Sequence, residues 1–225
     1  MKIERKVIII LSLSMLLVGS VIPAILALKR SPPYANAKIE EFEFADPPWF
    51  AQADAKAKAL PEYGYAYVYA YVFTTPAARS STAYAEVEFN ANPVPGNSPV
   101  LDWSFYITGS TTIYVKGTVG SQGALAARLN IGFQIYDYKQ GKWVPDPYKY
   151  GLKRLGEGVY NKTYKISKSF DCSNDYSDVD KYTITSFAEA SAQCIGGATC
   201  EAVVDFYTGE YPERVVFVCS IELCY

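Results

Sequence analysis

The sequence predicts an all-β chain: a single two-sheet antiparallel β-sandwich, jelly-roll or immunoglobulin-like, behind an N-terminal hydrophobic leader. Three observations predict it. Alternation of Tyr, Val, Ile and Thr with small or polar residues recurs from residue 63 to the end. Short Gly, Pro, Asn and Asp clusters cut that alternation into strand-length runs, and no long helical period competes with it. The length beyond the leader, about 190 residues, suits one domain with a full core.

Residues 1–37 form the leader. Lys2, Arg5 and Lys6 precede an apolar run from Val7 to Leu28 that is interrupted by serines, one glycine and Pro23. That is a signal peptide, with small-residue exits at "ILA" (to Ala27) and "ANA" (to Ala37), or a retained membrane anchor, since a run of this length also spans a bilayer. Residues 38–62 are a connector. Its second half alternates Ala51, Ala53, Ala55, Ala57 and Ala59 with mostly polar partners, so alanine's helix propensity and the strand period disagree, leaving a short helix or an added or donated strand.

The domain, 63–225, reads as strands near 63–75, 81–91, 100–107, 111–119, 126–138, 159–170, 181–194, 200–208 and 214–223. The first opens with "YGYAYVYAYVF", which sets Tyr63, Tyr65, Tyr67, Tyr69, Tyr71 and Phe73 on one face and Gly, Ala and Val on the other. The small face should lie against the second sheet. The rings are then a surface layer, a subunit contact or a platform for sugar rings.

Five cysteines lie late in the chain, and in an exported protein they point to disulfides. Across the loop "IGGAT", Cys194 opposite Cys200 would also set Ala192 beside Ala202, Ala190 beside Val204 and Ala188 beside Phe206, a hairpin with one apolar face. Cys219 shares its alternation phase with Phe217 and Ile221, and Cys172 is its expected partner. Cys224 is left over.

Composition narrows the function classes. Removing residues 1–37 takes away five basic residues and Glu4 and leaves 16 basic against 22 acidic groups, a net charge of −6 without a basic stripe. Nucleic acid is not an expected partner. There is no histidine, and both methionines lie in the leader, which fits an oxidising exterior. The sequence has neither G-x-S-x-G nor G-x-x-x-x-G-K, so no catalytic residue is assigned. Glu86 and Glu88 sit two apart on one strand, a spacing open to glycoside hydrolysis but commoner on a solvated face. The loop "DCSNDYSDVD" gathers Asp171, Asp175, Asp178 and Asp180, an oxygen-rich set that would suit calcium, whereas the absence of C-x-x-C spacing and of histidine argues against zinc. Asn161 in "NKT" is a glycosylation acceptor.

A leader, the short segment "KIEEFEF" (38–44), then one Tyr- and Thr-rich sandwich resemble the secreted β-sandwich subunits of archaeal surface filaments, of the thread and bundling-pilus type. The resemblance implies that the segment after the leader pairs with the next subunit's open sheet, and it implies no functional residue. Within that segment Ile39 is out of phase with Phe42 and Phe44. The expected protein is therefore a non-enzymatic, extracellular or cell-surface structural subunit that associates with itself or with other surface proteins. A carbohydrate-binding module is the alternative and a glycoside hydrolase a distant third. Membrane contact would come only through an uncleaved leader.

Overall fold

Period-two segments dominate from the connector onward, and among the described residues of the computed structural model thirteen strands pair in two antiparallel sheets, a β-sandwich. The structure describes residues 28–31, 36–91, 106–122, 127–137, 141–144, 150–171, 182–209 and 213–224. The strands are β1 (Leu28–Ser31), β2 (Asn36–Asp46), β3 (Ala51–Leu60), β4 (Tyr65–Thr74), β5 (Ser80–Ala91), β6 (Tyr106–Gln122) and β7 (Ala127–Asp137). They continue with β8 (Lys142–Val144), β9 (Tyr150–Leu155), β10 (Gly158–Asp171), β11 (Tyr182–Ile195), β12 (Cys200–Phe206) and β13 (Val215–Cys224). Among the described residues no helix is long and apolar enough to cross a membrane.

In the first sheet, β3 pairs β4, β4 pairs β12, β12 pairs β6, and β10 closes the far side against β6. Long β6 serves two neighbours in succession: Thr118–Gln122 pair β12, and Thr108–Lys116 pair β13, which carries β1 on its outer side. The second sheet runs β2, β5, β11, β7, with β8 and β9 both on β7. Alternation decides what faces inward. Ala66, Val68, Ala70 and Val72 of β4 pack with Ala83, Ala85, Val87 and Phe89 of β5 and with Leu129, Ile131 and Phe133 of β7.

Several expectations are corrected here. Of the two readings of the connector the strand holds and the helix does not, and β1 with the first two residues of β2 falls within residues 1–37 that read as leader. β2 pairs the chain's own β5 and β3 pairs β4, so the alternation of residues 51–60 outweighs alanine's propensity once a neighbour is present. The first predicted strand begins at Tyr65. Tyr63 closes a 3₁₀ turn, Pro61–Tyr63, which Gly64 ends in the left-handed conformation at φ 68°. The expected break between 107 and 111 is absent: β6 runs straight through Gly109, where a Cβ would lie 3.1 Å from Phe133 Cε2.

The largest correction concerns β11 and β12. They lie in different sheets and are not a hairpin, with β11 between β5 and β7 and β12 between β4 and β6. The expected apolar face is real, since Ala188, Ala190, Ala192, Ala202, Val204 and Phe206 are all buried. It meets itself across the core instead of along a ladder. The Cys194–Cys200 disulfide, with Cα atoms 5.8 Å apart, therefore ties one sheet to the other.

Cys219 carries a free thiol, so the expected bond to Cys172 is not formed. A bulge between Val218 and Ser220 explains the misreading. It shifts the phase of β13, so that Val218 and Ile221 both point inward and Cys219 belongs to neither alternation. Burial pushes its thiol pKa up. Cys172 lies outside the described residues, as does the side chain of Cys224.

Candidate functional site

β4 is an interior strand of its sheet, and this decides what its tyrosines can do. Tyr65, Tyr67, Tyr69 and Tyr71 share its outer face, while Ala66, Val68, Ala70 and Val72 are fully buried beneath. On one side β3 sets Asp54 opposite Tyr71, Lys56 opposite Tyr69 and Lys58 opposite Tyr67. On the other, β12 sets Val203 opposite Tyr71 and Asp205 opposite Tyr69.

These neighbours lie over the rings. Lys56 Nζ is 5.4 Å from the centre of the Tyr69 ring and Lys58 Nζ 5.8 Å from that of Tyr67, both cation–π contacts. Asp54 holds Lys56 by a 2.7 Å ion pair. Tyr67 meets Tyr207 edge-on at 6.3 Å and Tyr65 meets Phe217 at 4.9 Å. Tyr67 is in consequence only 8% exposed, and the other strand tyrosines are half-buried. Burial pushes the phenol pKa of Tyr69 and Tyr71 up, helped by the Asp54 carboxylate at Tyr69 and by Glu201 at Tyr71. The row forms an outer layer, as expected, but one tiled by charged side chains.

Beside Tyr71 the tiling has a gap. Gly120 has no side chain to fill it, and Thr118, Ser121, Glu157, Val159, Glu201 and Val203 line a shallow groove of about 440 Å³ there. Two carboxylates and two hydroxyls in one groove give hydrogen-bonding groups to a polar ligand, with the exposed Val159 as an apolar lip.

On the outer face of the second sheet, register aligns Glu40, Glu86, Glu189 and Asn130 across β2, β5, β11 and β7. Glu86 is 5% exposed, which corrects the expected solvated face, and it accepts a hydrogen bond from the Tyr84 hydroxyl. That phenol is held far above its usual pKa by burial first and then by Glu86. Asn130 Nδ2 donates to Glu189 at 2.6 Å, and Gln134 Nε2 to Glu88 at 2.9 Å. Glu88 is thus bonded across strands to β7, and Glu86 is bonded within β5 by its neighbour Tyr84.

A cluster of exposed large apolar side chains lies elsewhere, in residues that the sequence reading placed in the connector. On β2, Ile39, Phe42 and Phe44 are 46%, 54% and 46% exposed, and in the turn that follows Trp49 reaches 75% and Phe50 42%. Phe42 and Phe44 face outward and Ile39 inward, which is the phase conflict visible in the sequence. Between the sheets, β2 reaches over to β3: Glu43 Oε1 accepts from the Ala55 amide at 2.7 Å and Glu41 Oε1 from the Ala57 amide at 2.6 Å.

Of the remaining candidates, Asn161 is exposed on β10, a strand, with its Oδ1 accepting from the Tyr114 hydroxyl at 2.5 Å. Asp175, Asp178 and Asp180 lie outside the described residues, and Asp171 is the last residue of β10, its side chain outside them. Among the described residues no group of three or more His, Cys, Asp or Glu is placed to hold a metal ion. Neither a protein-family model nor a curated protein matches this chain.

Proposed function

We propose that the protein is an exported, non-catalytic structural subunit of the cell surface that assembles with copies of itself. The observation that carries this reading is the β2 edge and its turn, where five large apolar side chains stand 42–75% exposed within twelve residues. A soluble monomer rarely leaves such a set bare, and an edge strand offers main-chain partners beside it. The leader and the disulfide support an oxidising exterior as the compartment. The test is light scattering and negative-stain microscopy of the chain without its leader, cut at Ala27 so that β1 and β2 stay whole, beside a Phe42→Ser, Phe44→Ser variant. Wild type should form particles that grow with concentration, and the variant should stay dispersed with an unchanged circular dichroism spectrum. Wild type that stays monomeric at every concentration would overturn the reading.

The groove favours a second reading, a carbohydrate-binding surface, since its two carboxylates and two hydroxyls suit a polar sugar, and Glu201 is also hydrogen-bonded to Tyr71. Calorimetry against soluble polysaccharides separates the two. Binding that disappears in Glu201→Ala, with assembly unaffected, would favour the sugar reading.

A further inference from the structure

The second sheet ends in β2, and on the opposite flank the first sheet ends in β10. Both are long edge strands, of 11 and 14 residues, and among the described residues each is bonded on one side only, β2 to β5 and β10 to β6. An edge of this kind presents amides and carbonyls to any strand that fits it. The first sheet's other flank is shared by the four-residue β1, on β13, and by β3, whose Ala55 and Ala57 amides are capped by Glu43 and Glu41.

The two open edges carry opposite charge. β2 holds Glu40, Glu41, Glu43 and Asp46 against Lys38 alone, whereas β10 holds Lys162, Lys165 and Lys168, all exposed, against Asp171 at its end. Pairing β2 with β2 would set carboxylates against carboxylates, and pairing β10 with β10 would set ammonium groups against each other. We infer that the β2 edge of one copy pairs with the β10 edge of the next, joining the second sheet of the first molecule to the first sheet of its neighbour. This rests on the self-assembly reading above and specifies its geometry. The lysines that keep an isolated edge from pairing indiscriminately select an acidic edge when one is offered. Phe42 and Phe44 on one side, and Val159, 82% exposed, on the other, add apolar area to the contact. Because the two edges differ and lie on opposite flanks, the contact is heterologous and does not close on itself as a twofold dimer does, so repetition yields an open filament.

Two charge variants of the leaderless full chain test this. One is Lys162→Glu with Lys165→Glu. The other is Glu40→Lys with Glu41→Gln and Glu43→Gln, the glutamines keeping acceptors for the Ala55 and Ala57 amides. Each alone should need at least about tenfold more protein to assemble, and an equimolar mixture should recover wild-type assembly, because the altered edge of each variant complements the altered edge of the other and the two native edges still complement each other. Wild-type assembly should also weaken steadily with added salt. If wild type assembles but the variants match it, or the mixture stays dispersed, or salt has no effect, the edge pairing is wrong while self-assembly stands. If wild type never assembles, both fall.

Discussion

β4 and β2 are both aromatic-rich strands with a face turned to solvent, and they end up in opposite states. β4 has five rings over ten residues, yet Tyr67 is 8% exposed and the rest are half-buried. β2 has only Phe42 and Phe44 on its outer face, each about half exposed. The difference is position in the sheet. An interior strand has neighbours on both sides whose long side chains lean over its rings, as Lys56 and Lys58 do. An edge strand has one neighbour, and its outer residues keep an uncovered flank. The number of aromatic residues therefore says little about contact surface until the strand order is known.

The comparison breaks most severely at Tyr67. If tiling has made this ring part of the packing, Tyr67→Ser should cost about 2–4 kcal/mol in a denaturant titration, near the value for a buried aromatic. A loss below about 0.5 kcal/mol, typical of surface positions, would show that the ring is merely superficial. Alkaline pH acts on several rings at once. Burial disfavours the phenolate of Tyr69, Tyr71 and Tyr84 in the folded protein, so their folded pKa values lie above the unfolded one. Stability is then complete below the unfolded tyrosine value of about 10 and falls as pH rises beyond it. Unfolding midpoints that hold constant across that range would contradict the assigned burial.

A smaller effect belongs to the bridge between β2 and β3. Glu43→Ala removes the acceptor for the Ala55 amide and should cost about 1 kcal/mol, while Glu43→Gln should recover most of it. Equal losses in both would mean that charge, rather than the hydrogen bond, is what matters there. The smallest effect on folding is expected at the bare end of the comparison. Phe42→Ser should change stability by less than about 0.5 kcal/mol while altering assembly, so a large loss of stability would show Phe42 to be core.

Much of this architecture was legible in the sequence because alternation has a direct physical cause: a half-buried strand buries every second residue. The boundaries of β5, β7, β10 and β11 follow from it to within a residue or two. It fails wherever two arrangements share one pattern. Ala188 to Cys194 and Cys200 to Phe206 show the same apolar face whether they lie side by side in a ladder or face to face across a core, so the disulfide could be found but not the sheets it joins. The bulge at Cys219 hid that residue's direction, since alternation read from either side gives opposite answers. The covering of the tyrosine row was hidden for a related reason. Tyrosines on β4 are conspicuous as letters, whereas the covering by Lys56 and Lys58 depends on β3 being their neighbour, which no local pattern encodes.

The disulfide between the sheets acquires a mechanical meaning once subunits are joined edge to edge. Tension entering one molecule at β2 passes through β5 to β11, and tension leaving at β10 comes through β6 from β12. Within each subunit the force crosses from sheet to sheet, and the β11–β12 connection is one route beside the β2–β3 bridge. The backbone from residue 194 to 200 could by itself stretch to roughly 20 Å before pulling taut, long enough for the two sheets to slide past each other. The bond between Cys194 and Cys200 holds their Cα atoms at 5.8 Å and removes that slack. A filament of such subunits would resist extension through a covalent link in every repeat, and reducing agent should soften it without dissolving it.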